Sequence, residues 1–200
     1  MCTSKPLLIL SFCALTVFTS CDVVNQVSQA KNLAKCDFRL ESIQNLNLAG
    51  INVQNVNSLS DFTMFDAAKL ASAFSSPQVP LDFTLNIEAK NPNTSPAGMT
   101  RIDWILLIDD IEMTRGILDK AITIPANNGS AMIPMMINVD LKKALAGKGA
   151  DAIINFGLNL AGSGNKPTRF TLQMKPTISV AGIPISYPGY INVKTDYSSN

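Results

Sequence analysis

The sequence predicts an all-β fold, an antiparallel β-sandwich of about seven or more strands with two short helical insertions. Three observations support this prediction. Apolar and polar residues alternate over several segments, most clearly over residues 81–90. Turn-forming residues separate these segments at short intervals, as they do between the strands of a sandwich. Most strands follow one another through short turns, which argues against a parallel α/β sheet.

The first 20 residues are predicted to be a bacterial lipoprotein signal peptide. Lys5 supplies a positive start, an apolar run extends from Pro6 to Ser20, and Cys21 follows directly. The run is shorter than the about 20 apolar residues that a transmembrane helix needs, and we exclude it from the fold as a segment that is removed. We therefore expect lipid attachment at Cys21. A conventional secretory signal cut near Ser20 and an uncleaved anchor are the alternatives.

Residues 21–35 are predicted to be a lipid-anchored tether. The segment is polar with few helix breakers, and Val23, Val27 and Ala30 recur at near-helical spacing. A short helix near the membrane and a flexible spacer are both compatible with this pattern. The sandwich domain is then expected over residues 36–197.

The domain is predicted to open with a bulged strand. Phe38 and Leu40 alternate with polar neighbours, and the alternation shifts phase near residues 42–45, which indicates a β-bulge. Alternation resumes over 46–48 and again over 51–53.

A helical insertion is predicted over residues 61–75. Its centre is rich in alanine and lacks β-branched residues, which favours a helix. Ser60 or Asp61 is the expected N-cap. Leu70 and Phe74 are expected on the buried side, together with Phe62.

The clearest strand covers residues 81–90 and ends at Asn91, Pro92 and Asn93. Its alternation over ten residues is typical of a half-buried antiparallel strand. Pro92 cannot donate a hydrogen bond to a strand ladder, and asparagine side chains favour turns. The tripeptide is therefore expected to terminate the strand.

A hairpin and a further strand follow. Residues 99–108 are apolar on both sides and predict a central strand, and Asp109 and Asp110 predict a tight turn into residues 111–118. Gly116 is the expected site of a bulge. After the turn that ends at Gly129, residues 131–139 alternate again.

The C-terminal third is predicted to begin with two short helices over residues 140–161, because alanine- and leucine-containing segments there are followed by glycines. A strand over 154–160 is the alternative. Residues 169–180 alternate clearly. A turn at Gly182 leads to residues 183–187, and residues 190–193 close the domain.

Composition excludes several classes of protein. The chain has 16 Lys and Arg and 15 Asp and Glu, and removal of Lys5 with the signal leaves 15 of each sign. A neutral domain offers no basic patch for nucleic acid. Because the chain contains no histidine, it has no histidine-dependent catalytic triad and no histidine-ligated metal. We expect no enzymatic activity, no cofactor and no metal.

Two cysteines remain after signal removal, Cys21 and Cys36. If Cys21 is acylated, Cys36 has no partner within the chain, and we expect it to be a small buried hydrophobe. If Cys21 is not acylated, a Cys21–Cys36 bridge is the alternative.

Charged clusters have a structural and a chemical interpretation. Asp103, Asp109, Asp110 and Glu112 gather on one hairpin. Carboxylates can serve acid–base catalysis or bind a hard cation, but aspartates also form turns. We favour turn formation, and a hydrolase at this hairpin is the least favoured alternative. Lys142 and its lysine neighbours are expected on a solvated helix face.

The stretch from residue 81 to 139 resembles the late embryogenesis abundant (LEA) type 2 family, also called the water stress and hypersensitive response (WHy) domain. The resemblance is carried by the alternating strand running into Asn91-Pro92-Asn93, by the hairpin of residues 102–113, and by Gly116, Gly129 and the strand 133–139. Asp110 stands where the family often has glycine. The resemblance implies an immunoglobulin-like or fibronectin III-like sandwich and a protective role under stress, without catalysis. Lipid-anchored relatives of this domain occur in bacteria.

We therefore expect a non-enzymatic envelope lipoprotein with a stress-protective or binding role. The alternative is an envelope carrier or adapter in which the helix around Met64 and Phe65 covers a groove for an apolar ligand or a protein partner. The expected partner is the membrane, through the lipid at Cys21, and nucleic acid is not expected. We expect a monomer at the outer membrane, facing the periplasm.

Overall fold

A computed structural model of the chain describes residues 27–29, 31–54, 56, 59–146, 153, 155–157, 159 and 168–197. Within these residues the strands pair only in antiparallel fashion, which confirms the predicted all-β sandwich. In chain order the strands are β1 (Asp37–Leu48), β2 (Ile51–Asn52), β3 (Pro80–Asn91), β4 (Ala97–Met99), β5 (Arg101–Ile108), β6 (Ile111–Leu118), β7 (Ile122–Ile124), β8 (Gly129–Asp140), β9 (Thr168–Val180), β10 (Ile183–Ser186) and β11 (Ile191–Tyr197).

The first sheet has the order β2-β1-β3-β8. β3 pairs with β8 along its whole length, from Pro80 opposite Asp140 to Asn91 opposite Gly129. Residues of β3 alternate between buried and partly exposed as the sequence predicts. The register between β1 and β3 shifts twice, after Leu40 and after Gln44, which confirms the predicted bulge.

The second sheet has the order β10-β9-β5-β6, and β11 also pairs with β9. β9 is the longest described strand, with 13 residues. It pairs with β5 along one edge and with β10 and β11 along the other. The short strands β4 and β7 form a separate pair. The sequence did not predict β7, because three residues are too few to show alternation.

The β5–β6 turn has the geometry that two-residue hairpins favour. Asp109 and Asp110 both have positive φ, 49° and 64°. A turn with two residues in this region matches the twist of the flanking strands. Asp110 has a positive φ, a conformation that glycine adopts more easily, and the hairpin forms without a glycine in its two-residue turn.

One hydrophobic core lies between the two sheets. The sheet edges meet on both sides, since β1 contacts β11 and β8 contacts β6. Full burial of one aliphatic side chain contributes about 1.5–3 kcal/mol, so the facing aliphatic rows dominate the stability of the domain. Aliphatic residues that are at most 1% exposed come from both sheets: Leu46, Leu48, Leu81, Leu85, Ile87, Ile102, Leu106, Ile108, Ile133 and Met135.

The first helical insertion is α1 (Met64–Ser75). Its N-cap is Thr63, not Ser60 or Asp61, which corrects the prediction. Thr63 Oγ1 accepts a hydrogen bond from the Asp66 backbone N at 3.1 Å, and the Asp66 carboxylate accepts one from the Thr63 backbone N at 3.1 Å. This reciprocal capping box sets the start of the helix. Leu70 is buried as predicted, whereas Met64 and Phe65 are 92% and 69% exposed.

The second insertion contains α2 (Leu141–Ala144). Residues 153, 155–157 and 159 are also helical, so the described part of 140–161 agrees with helices and not with a strand. None of the helices in the described part of the chain is long and apolar enough to cross a membrane.

The sandwich has two distinct ends, which we name after the two ends of β3. The Pro80 end carries α1 and α2. The Asn91 end carries residues 27–29 and 31–33, β4, β7 and the turn between β9 and β10. Leu33 is 1% exposed and belongs to the core, although the sequence placed it in the tether. The last residues before β1 are therefore part of the folded domain.

Candidate functional site

Asn91 is a fully buried polar residue at the end of β3, with 0% exposure. Its Nδ2 donates to the carbonyl oxygens of Ser95 at 3.0 Å and Ile124 at 3.2 Å. Its Oδ1 accepts from the backbone N and the Nδ2 of Asn93, at 3.0 and 2.6 Å. A buried amide without hydrogen-bond partners would lower the stability of the fold by about 1–3 kcal/mol. These four hydrogen bonds supply the partners that the Asn91 side chain needs.

Asn93 and Asn32 extend this arrangement to the N-terminal helix. Asn93 Nδ2 donates to the carbonyl oxygen of Asn32 at 3.0 Å. Asn32 Nδ2 donates in turn to the carbonyl oxygens of Ser95 at 3.2 Å and Pro96 at 3.1 Å. We call Asn32, Asn91 and Asn93 the asparagine network. It joins the helical residues before β1 to the end of β3.

The predicted tripeptide therefore does more than terminate a strand. β3 ends at Asn91, and Pro92 is exposed directly after it. The backbone carbonyls of Asn91 and Asn93 also accept hydrogen bonds, from Asn128 N at 2.8 Å and Asn127 N at 2.7 Å. Sequence reasoning missed Asn32, because a polar residue in a polar segment carries no signal of its own.

Gly129 allows the turn before β8 to close. Its N donates to the carbonyl of Ala126 at 3.1 Å. A Cβ at this position would lie 2.7 Å from Pro125 Cβ and 2.9 Å from Pro125 O. Only a residue without a side chain fits between the turn and the start of the strand.

Gly116 has a different role from the one predicted. The β5–β6 register shifts between Leu106 and Leu107, where Leu106 faces Thr114 and Leu107 faces Glu112. Met113 is therefore the extra residue of the bulge, and the prediction of a bulge at Gly116 is wrong. Gly116 faces Trp104, and a Cβ there would lie 2.8 Å from Trp104 Cε2 and closer still to Cζ2. Gly116 provides space for the buried indole.

The carboxylates of the β5–β6 turn are structural. Asp109 Oδ1 accepts a hydrogen bond from Arg169 N at 3.1 Å, and Asp109 N donates to Arg169 O at 2.9 Å. Asp110 Oδ2 lies 3.1 Å from a guanidinium nitrogen of the same arginine. The turn is thereby joined to the start of β9.

The other two carboxylates of the predicted cluster have separate partners. Asp103 pairs with Arg101 at 2.8 Å, and Glu112 pairs with Arg115 at 2.6 Å. Each carboxylate lies next to its own arginine instead of facing a second carboxylate. Among the described residues, no three His, Cys, Asp or Glu side chains are grouped as metal ligands would be.

Lys142 is not the solvated lysine that the sequence predicted. Its Nζ donates to the carbonyl oxygens of Phe74, at 2.6 Å, and Ser76. These carbonyls lie at the C-terminus of α1, where unpaired carbonyl groups and the helix dipole favour a cation. Lys143 is exposed as expected.

An apolar groove of about 210 Å³ opens at the Asn91 end, between the N-terminal helical residues and the β9–β10 hairpin. It is smaller than most ligand pockets, which occupy about 300–1,000 Å³. None of the residues of α1 lines this groove. The groove is lined by Lys31, Leu33, Pro176, Ile178, Ile185, Ser186, Tyr187 and Pro188.

Cys36 lies half-buried against the core, as a free thiol. Its Sγ donates to the carbonyl oxygen of Asn32 at 3.4 Å. Burial, followed by the nearby negative charge of Asp37, raises the pKa of the Cys36 thiol to about 11. Cys21, the predicted lipid attachment site, lies outside the described residues.

Comparisons with known proteins give similar structures only. No family model matches the chain, and no curated protein matches it. A protein from Archaeoglobus fulgidus is similar over 62% of this chain and 89% of its own, with 7% identity and a TM-score of 0.34. AT1g01470 from Arabidopsis thaliana is similar over 62% of this chain and 73% of its own, with 14% identity and a TM-score of 0.32.

A candidate LEA protein, At2g46140.1, is also similar in structure. The similarity covers 93% of this chain and 86% of that protein, with 14% identity and a TM-score of 0.32. The structural neighbours thus include a candidate LEA protein. Structural similarities with TM-scores this low say nothing about function. The function therefore has to be inferred from the chain itself.

Proposed function

We propose that this protein is a lipid-anchored, non-enzymatic domain of the LEA type 2 family that acts at the membrane surface of a bacterial envelope. The observation that carries the proposal is the common role of Asn91, Asn93, Gly116 and Gly129. These residues carry the sequence resemblance. Asn91, Asn93 and Gly129 hold the turns at the Asn91 end, and Gly116 makes room for Trp104 in the core of the same sandwich. The motif residues thus serve the architecture of the sandwich.

The proposed absence of catalysis is supported by the carboxylates of the β5–β6 hairpin. Acid–base work needs a carboxylate that can gain and release a proton beside a substrate. Asp103, Asp110 and Glu112 instead each form an ion pair with an arginine side chain, so their carboxylate oxygens already have a partner within the protein. If a suspected hydrolytic activity is found, a D109N/D110N double variant should retain it in full; loss of that activity on removal of these carboxylates contradicts the proposal.

In this proposal, lipid attachment at Cys21 holds the protein at the membrane. We expect it at the outer membrane, facing the periplasm. Cells grown with a clickable fatty-acid analogue should label the protein. Cys21→Ala should abolish the label, whereas Cys36→Ala should leave it unchanged. Labelling that survives Cys21→Ala would refute the attachment site.

The proposed protective role is tested by drying. A labile enzyme is dried with the processed protein, or with an equal mass of an unrelated β-sandwich protein, and its activity is measured after rehydration. We expect more activity to survive with this protein than with the unrelated sandwich. Equal recovery of enzyme activity with the two proteins would refute the protective role without bearing on the lipid attachment.

A carrier function remains the second candidate, because the groove beside Leu33 and Ile178 is apolar. Its small volume favours, at most, a single acyl chain or a short apolar side chain. Native mass spectrometry after gentle purification distinguishes the two functions. A stoichiometric lipid in addition to the covalent anchor favours a carrier, and an empty domain favours the protective role.

A further inference from the structure

The β9–β10 hairpin extends the core-facing side of the second sheet beyond the sandwich. Inward residues of β9 alternate from Phe170 through Met174 to Ile178. The same face continues into the hairpin, where Ile178 lies opposite Ile185 and Val180 opposite Ile183. This apolar face is therefore continuous with the core.

The tip of this face is exposed. Ile183 is 64% exposed and Ile185 is 47% exposed. Ala181 and Gly182 form the connecting turn, with φ values of 52° and 79°. No charged residue occurs between Lys175 and Lys194. A charge-free hairpin that presents two isoleucines to solvent is unusual for a surface edge, where charges commonly prevent association.

The hairpin lies beside the chain segment that leads to Cys21. Lys31 and Leu33 line one side of the apolar groove, and Ile178 and Ile185 line the other. Gln29 and Ile178 both line a neighbouring depression. The asparagine network fixes this N-terminal helix to the Asn91 end. The described residues before β1 thus lie on the same side of the domain as the hairpin.

The length of chain between the anchor and the domain limits the distance to the bilayer. Five residues lie between Cys21 and Val27, and the six steps along the chain from Cys21 to Val27 span at most about 20 Å when fully extended. An acyl chain on Cys21 would keep the hairpin near the lipid surface at a high effective concentration. A weak apolar contact is then sufficient to orient the domain.

We propose that the β9–β10 hairpin inserts Ile183 and Ile185 into the interfacial region of the phospholipid bilayer, so that the domain is held with its Asn91 end on the membrane. The inference rests on the proposed acylation of Cys21. Lys31, on the rim of the groove, is placed to meet lipid phosphates while its stem covers apolar surface. The Pro80 end, with α1, then points away from the membrane.

The test uses the full chain, expressed in a bacterial envelope and purified with its lipid. Ile183→Cys and Met64→Cys are each made in a Cys36→Ala background and labelled with an environment-sensitive nitrobenzoxadiazole probe. Met64 is the matched control because it is 92% exposed at the Pro80 end. The proteins are reconstituted in vesicles of phosphatidylethanolamine and phosphatidylglycerol that contain nitroxide-labelled lipid.

We expect the probe at position 183 to be blue-shifted in vesicles and quenched severalfold more strongly by nitroxide lipid than the probe at position 64. Equal quenching at the two positions overturns the inference. A blue shift at 183 that exists without vesicles and resists nitroxide lipid also overturns it, because protein then covers the hairpin. The mass of the N-terminal peptide reports acylation separately. An acylated protein with an unquenched hairpin refutes only the inference, whereas a peptide without lipid refutes the proposed anchor and the inference together.

Discussion

Lys142 Nζ lies 2.6 Å from the carbonyl oxygen of Phe74, across 68 residues of sequence. This contact joins the two helical insertions, since Lys142 belongs to α2 and Phe74 to the last turn of α1. It also provides a partner for a carbonyl that the helix itself leaves unpaired. Lys142 thus ties α2 to the C-terminus of α1 at the Pro80 end.

Lys142→Met should lower the free energy of unfolding by about 1 kcal/mol, because it removes a charge-assisted hydrogen bond and a cation from a helix C-terminus. The neighbouring Lys143 is exposed in the same helix, so Lys143→Met should change stability by less than about 0.5 kcal/mol. Urea denaturation midpoints of the two variants measure this difference. Equal midpoints would show that Lys142 does not stabilise the end of α1.

Gly116→Ala should destabilise the domain by about 1–3 kcal/mol through overpacking against the Trp104 ring. Gly189 provides a matched control, because a Cβ there meets nothing within 4 Å, and Gly189→Ala should be close to neutral. Thermal unfolding of both variants gives the comparison. A further Trp104→Phe substitution should recover part of the loss in the Gly116→Ala protein, since the smaller ring leaves room for a methyl group. Purely additive losses would mean that the ring is not the obstacle.

Asn91→Ala should lower stability by about 1–3 kcal/mol, because it removes the side-chain donor to the buried Ile124 carbonyl and the acceptor of the two Asn93 N–H groups. Asn192 is exposed on β11, and Asn192→Ala should stay within about 0.5 kcal/mol of the parent protein. The asparagine network adds a local effect. Amide hydrogen exchange at residues 31–33 should accelerate in Asn91→Ala more than in the interior of β3. Exchange that rises uniformly would indicate that Asn91 does not hold the N-terminal helix.

The strands of the core were predictable because each alternation is local. Leu81, Phe83, Leu85 and Ile87 show their buried face within eight residues, and β3 follows this face in the structure. The bulge in β1 was predictable for the same reason, because a phase shift in alternation is itself visible in the sequence. The turn at Asp109 and Asp110 was identified from residue type alone.

The remaining features depend on contacts between distant segments. Gly116 was expected at a bulge, but its role is set by Trp104 on the facing strand. Lys142 was assigned to solvent because its partner, Phe74, lies on another insertion. The Thr63 capping box could have been found from the Thr-x-x-Asp spacing. Asn32 could not, because nothing local connects it to Asn93.

Cys36 should react with iodoacetamide far more slowly than an ordinary exposed thiol at pH 8, because its pKa is raised to about 11 and only the thiolate is nucleophilic. Its alkylation rate should rise by about tenfold per pH unit and level off near the raised pKa. Peptide mass spectrometry of the Cys36 peptide measures the rate at each pH.

The raised pKa of the Cys36 thiol also makes the stability of the domain depend on pH. Burial favours the neutral thiol, so the folded-state pKa lies above the unfolded one. The stabilisation from this group is complete below the ordinary thiol pKa and is lost as the pH rises towards about 11. Cys36→Ala should therefore lose less stability between pH 8 and pH 11 than the parent protein.

A cysteine at position 64, where Met64 is almost fully exposed, should titrate near the ordinary value of about 8.5. Identical alkylation profiles at positions 36 and 64 would show that Cys36 is not shielded from water.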